Sequence, residues 1–133
     1  MTGMTLIELM ITLAIIAILI TISYPSYTQY LTSVRRVSTQ GDLVQLSAFM
    51  TQYYSENYSY LTAESKSPVL PFNESPKQGS SRYYDLTVVA EEQTYLLTAT
   101  PKNGQDSDRC GRLTINQNSE SRAIKNGVEV PDC

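Results

Sequence analysis

Histidine is absent from the 133 residues and cysteine occurs only twice. His-based acid/base catalysis, Ser-His-Asp triads and His/Cys zinc sites are therefore excluded by composition. A basic excess is also missing: 10 Lys+Arg stand against 13 Asp+Glu, for a net charge of −3 and a pI of about 4.9. A dedicated nucleic-acid binder ordinarily carries a basic face, so the balance argues against one. The length allows one compact domain. No catalytic residue, cofactor or metal is expected.

What the chain does have is an apolar run. Leu6–Tyr24 is 19 residues with Glu8 as the sole charge, and as a helix it would reach about 28 Å, enough to span a bilayer. A cleaved secretory signal would have a shorter apolar stretch, about 7 to 15 residues, ending in a small-residue cleavage site. Neither condition holds around Ser23 and Tyr24. Glu8 is the anomaly, because a carboxylate in an inserted helix costs on the order of 2 to 3 kcal/mol near the centre and less toward the ends. Either it reaches the headgroups or it pairs with a cation when subunits pack. Arg35 and Arg36 follow the span while no Lys or Arg precedes it, which opposes the positive-inside pattern. We nevertheless place the C-terminus outside the cytoplasm, since the arginines lie about ten residues beyond the span and the cysteines fit an oxidising compartment.

After Pro25 the pattern is helical again to about Asn57, with Tyr27, Leu31, Val34, Val37, Val44, Ala48 and Phe49 near one face, broadened by Leu46, Met50 and Tyr53. That face should meet a sheet. Residues 57–81 carry Pro68, Pro71, Pro76, Gly79 and many serines, an irregular connection. Tyr53, Tyr54, Tyr58 and Tyr60 beside it read as packing and interface residues. Three alternating strands follow, pointing inward Tyr84, Leu86 and Val88, then Tyr95, Leu97 and Ala99, then Leu113 and Ile115.

Cys110 and Cys133 enclose 22 residues rich in polar turn formers. A bridge would stabilise such a loop by about 3 kcal/mol in the loop-entropy model, so a disulfide is the economical reading. A metal or redox pair lacks the C-x-x-C spacing and any histidine.

The stretch Gly3-Met4-Thr5-Leu6-Ile7-Glu8-Leu9-Met10 resembles the prepilin signal of type IV pilins. The resemblance implies cleavage between Gly3 and Met4, N-methylation of Met4, an assembly salt bridge from Glu8 to the Met4 amine of a neighbouring subunit, and a helix break at Pro25. The chain departs from the family in its leader, Met-Thr-Gly without basic residues, in Met4 where phenylalanine is usual, and in Ala17 where many major pilins have glycine. The segments Arg82–Val89 and Tyr95–Ser121, with the final cysteine, look like the PilE-type minor pilins of type IVa pili. The implied fold is α+β: a long N-terminal helix, its N-terminal half transmembrane, on an antiparallel sheet of about four strands with a C-terminal disulfide loop. The division would be leader 1–3, membrane and assembly helix 4–28, and head 29–133.

By this resemblance the chain is a minor pilin, held in the inner membrane before assembly and on the cell-surface pilus after it. It would serve pilus biogenesis, twitching motility, adhesion or DNA uptake. Its partners would be major and minor pilins, the inner-membrane assembly platform and prepilin peptidase. The alternatives are a major pilin, a DNA-receptor pilin and a type II secretion pseudopilin. For DNA, Arg109, Arg112, Arg122 and Lys125 lie near the disulfide, but Asp106, Asp108, Glu120, Glu129 and Asp132 interleave with them, so nucleic acid ranks below protein partners. For a pseudopilin, Asp106-Ser107-Asp108 could open a calcium loop, though two acids are few ligands. The sequons at Asn57 and Asn73 are read as unmodified.

Overall fold

A computed structural model describes residues 4–133. Residues through Val34 form one unit and Arg35–Cys133 a second. Helix α1, Leu6–Asn57, contributes to both. It starts where the Glu8 amide donates to Thr5 Oγ1 at 3.3 Å, so Thr5 is the N-cap and Glu8 stands at the third helical position. This Thr-x-x-Glu spacing is that of a capping box. The first unit is helical from Leu6, and its apolar side chains are exposed, Leu6 at 79% and Ile22 at 66%.

Pro25 was expected to break the helix, and α1 instead continues through it. The ring removes one amide donor, the one that would serve the Thr21 carbonyl, but its fixed φ is compatible with helical backbone. Nearby hydroxyls bond along the same turns, Ser26 Oγ to the Ile22 carbonyl at 3.3 Å and Thr28 Oγ1 to the Pro25 carbonyl at 2.9 Å.

In the second unit the sheet is an antiparallel meander in sequence order: β1 Glu74–Ser75, β2 Tyr84–Ala90, β3 Tyr95–Pro101, β4 Arg112–Asn116, β5 Ser121–Lys125 and β6 Val128–Glu129. Six strands replace the expected four or so. The two-residue edge strands and Ser121–Lys125 carry little apolar alternation, only Ala123 of β5 being buried. The register pairs Leu97 with Ile115 and Ala99 with Leu113, placing these four on the core face. They meet Leu43, Leu46 and Met50 of α1, and Tyr84 fills the centre with no exposed surface.

The helix face against the sheet matches the expected one only in part. Leu46 and Met50 are buried as expected and Phe49 packs against the core, but Thr39, Leu43 and Ser47 are buried beside them, whereas Val34, Val37 and Val44 are 47%, 62% and 58% exposed. Two apolar stripes run along this helix, and polar side chains on the inner one conceal it from a periodicity reading. Those polar groups are satisfied: the Thr39 hydroxyl bonds to Ser75 Oγ at 2.8 Å, and Ser47 Oγ to the Tyr95 hydroxyl at 2.7 Å.

Two backbone devices shape the C-terminal end. Asn126 and Gly127 both have positive φ, 52° and 81°, as a tight hairpin between β5 and β6 requires. Gly111 has φ +62°, and a Cβ there would come within 2.6 Å of the Ile124 carbonyl oxygen. Only glycine lets the chain turn from Cys110 into β4 at that distance. The expected disulfide joins Cys110 to Cys133.

Candidate functional site

Two regions carry the residues singled out in the sequence. The first is the N-terminal helix. Gly3 lies outside the described residues; Met4 is 67% exposed, and Glu8 is exposed one turn into α1. The sequence reading missed that Thr5 caps the helix, its hydroxyl accepting from the Glu8 amide, although the Thr5-x-x-Glu8 spacing announces it. A negative side chain in the first turn also meets the positive end of the helix dipole.

The second region surrounds the disulfide. Asp108 was counted among the acids that interleave with surface arginines, and it is instead buried. Arg36 Nη1 lies 3.2 Å from its Oδ1, with side-chain exposures of 13% and 4%. The same guanidinium contacts the Cys110 sulfur and lies 3.9 Å from that of Cys133. Tyr84 donates toward Asp108 Oδ2 at 3.5 Å and accepts from Gln105 Nε2 at 3.1 Å. Burial first of all pushes the Tyr84 phenol up to about 12. Gln40 Nε2 donates to the Cys133 carbonyl at 2.7 Å, tying the last residue to α1. With Asp108 turned inward, Asp106 loses its companion for an outward calcium loop. Among the described residues no group of three or more His, Cys, Asp or Glu side chains could hold a metal.

The positive charges divide into three sets. Arg36, Lys66, Arg82, Lys102 and Arg122 each lie within 4.0 Å of a carboxylate. Lys102 bridges Asp85 and Glu74, and hydrogen bonds to these two carboxylates, Asp85 foremost, raise its pKa. Arg35 instead stacks over Tyr83, 3.8 Å from the ring centroid, and Lys77 lies over Phe72. The remaining three, Arg109, Arg112 and Lys125, have no carboxylate partner among the described residues and all flank Cys110 or the β4–β5 ladder. Arg109 donates to the Asp132 carbonyl at 3.2 Å and Lys125 to that of Asp106. Arg112 and Lys125 line one open groove with Asp106, Asn126 and Gly127.

An apolar N-terminal helix, a helix-backed antiparallel meander and a C-terminal disulfide define a type IV pilin subunit. A family model for the type IV minor pilin ComP, DNA uptake sequence receptor, matches residues 25–114, and one for the prokaryotic N-terminal methylation motif matches residues 2–24. The chain belongs to the ComP family of type IV minor pilins. In structure it is similar to the non-core minor pilin PilV of Neisseria meningitidis, with a TM-score of 0.57 and 18% identity over 78% of this chain and 97% of that one. A type IV pilin from Shewanella oneidensis matches with a TM-score of 0.47 and 25% identity over 76% and 92% of the two chains. No curated protein sequence matches.

Proposed function

We propose that this minor pilin is cleaved after Gly3, methylated at Met4, held in the inner membrane by residues 4–28, and built into a pilus on which its head captures DNA. The observation that carries the reading is the family match over residues 25–114, which takes in most of the head of a family described as a DNA uptake sequence receptor. Relative to the sequence expectation, DNA moves from an alternative to the leading role. The head is acidic overall, but DNA contacts depend on local charge at the phosphates rather than on net charge. Arg109, Arg112 and Lys125 provide three such charges in one region, and Asp108, held by Arg36, no longer opposes them. Arg122 is more weakly available, lying 3.8 Å from Glu129 and 3.9 Å from Glu120.

Placement of the head in the periplasm draws support from the same charges. Arg35 and Arg36, which opposed that orientation in the sequence, are engaged within the head by Tyr83 and Asp108. Assembly would use Glu8 against the Met4 amine of a neighbour, with other pilins, the assembly platform and prepilin peptidase as partners. Binding of double-stranded DNA to the full chain in detergent, measured across a salt series, tests the head's role. Three phosphate contacts correspond to a slope of log K against log salt of about −3. A slope near zero, or no binding at low salt, would remove DNA capture and leave the subunit structural.

A further inference from the structure

No Asp, Glu, Lys or Arg lies between Glu8 and Arg35. Several hydroxyls of this stretch bond back onto the preceding turn, Thr12 Oγ1 to the Leu9 carbonyl at 2.8 Å and Thr21 Oγ1 to that of Ile18 at 2.7 Å. Satisfied in this way, they present little unmet polarity to hydrocarbon. Tyr24, Tyr27 and Tyr30 are different. Their rings are 70%, 61% and 65% exposed, and a phenol is too long and rigid to bond to its own helix backbone. Its hydroxyl needs an acceptor outside the helix.

Their depth identifies that acceptor. With α1 continuous through Pro25, a rise of 1.5 Å per residue places Tyr24, Tyr27 and Tyr30 about 27, 32 and 36 Å from Leu6. A bilayer has a hydrocarbon core of about 30 Å and a total thickness of about 40 to 45 Å with its headgroups. If Leu6 marks one edge of the core, the three rings straddle the opposite edge and extend through the headgroup layer. Tyrosine is enriched at this interface because the ring is apolar and the hydroxyl is not.

We propose that Tyr24, Tyr27 and Tyr30 form an interfacial belt that sets the depth of the anchor, with their rings against the acyl ends and their hydroxyls on phospholipid phosphate and ester oxygens. The inference rests on residues 4–28 being a membrane anchor. It gives the helix an outer anchor that needs no cation, since Arg35 and Arg36 are held by the head.

The chain has no tryptophan, so single Tyr24→Trp, Tyr27→Trp and Tyr30→Trp variants each report one position. Leu13→Trp serves as the mid-span control and Tyr58→Trp, at a side chain 80% exposed on the head, as the aqueous control. The full-length variants are placed in vesicles of phosphatidylethanolamine and phosphatidylglycerol carrying lipids brominated either near the headgroup or deep in the acyl chain. The belt predicts that the shallow label quenches the three tyrosine-site variants at least about twofold more than the deep one, with the order reversed for Leu13→Trp. If Leu13→Trp is quenched by the deep label and the tyrosine sites by neither, the anchor stands and the belt is wrong. Tyrosine sites quenched by the deep label as strongly as Leu13→Trp would also refute it. If Leu13→Trp behaves like Tyr58→Trp, residues 4–28 do not enter the bilayer and both readings fall.

Discussion

The guanidinium of Arg36 lies 3.2 Å from the carboxylate of Asp108, and the two side chains are 13% and 4% exposed. One is on α1 and the other precedes Cys110, so the pair fixes the disulfide region to the helix. Removing one partner leaves the other charge buried, and Arg36→Ala should destabilise the head by about 3 to 5 kcal/mol. Lys66→Ala, which breaks a pair 72% and 75% exposed, should cost at most about 1 kcal/mol. Urea unfolding of the two variants checks the difference. The double variant Arg36→Met/Asp108→Leu should recover most of the loss, because it removes both charges together.

The disulfide holds a segment with few core residues of its own. Cys110→Ser/Cys133→Ser should lower unfolding free energy by about 3 kcal/mol. In the oxidised protein, thermal scans with and without reductant should show the same loss. An unchanged midpoint would mean that the Gln40 and Arg109 bonds to the last residues suffice without the bridge.

Tyr84 makes stability depend on alkaline pH. Its phenol is raised to about 12 by burial, against about 10 in the unfolded chain. The native state therefore keeps a proton that the unfolded state has lost. Stability from this group is fully present below pH 10 and falls as pH rises from 10 toward 12, by roughly 2 to 3 kcal/mol in all. Tyr84→Phe should flatten that part of the profile, and an unchanged slope would assign it to other tyrosines.

The helix to Asn57, the three central strands and the disulfide were legible because each has a local signature: apolar period, alternation flanked by turn residues, or an isolated cysteine pair. Strands β1, β5 and β6 were not, since they are short or polar and exist through pairing with neighbours. The inner helix stripe was read only in part, Leu46 and Met50 being expected there, because Thr39 and Ser47 become core residues only with distant partners, Ser75 and Tyr95. Asp108 was read as a surface acid for the same reason, its cation standing 72 residues earlier in the chain.

Glu8 has both a capping position and a proposed assembly charge, and substitution separates them. Glu8→Gln retains an amide able to complete the capping box but loses the charge. Membrane insertion of Glu8→Gln and Glu8→Ala should match or exceed that of the parent chain, while both should be depleted from sheared pili. Normal incorporation of Glu8→Gln would show that the charge is dispensable for assembly.

Processing is read at the N-terminus. Mass spectrometry of the membrane fraction from a strain with active prepilin peptidase should find a chain beginning at methylated Met4. An intact Met1 terminus would remove the cleavage and methylation steps.

The central claim joins filament incorporation to DNA capture, and one measurement addresses both. Pili are sheared from cells expressing the parent chain or Arg112→Glu/Lys125→Glu, which reverses two charges on one groove of the head. Subunit content is quantified by mass spectrometry, and retained double-stranded DNA is measured at low and physiological salt. The account predicts equal, low-abundance incorporation of the two chains, with DNA retention falling at least about tenfold in the variant, the loss of two phosphate contacts at about 1 kcal/mol each plus repulsion. Equal DNA retention at equal incorporation would contradict it.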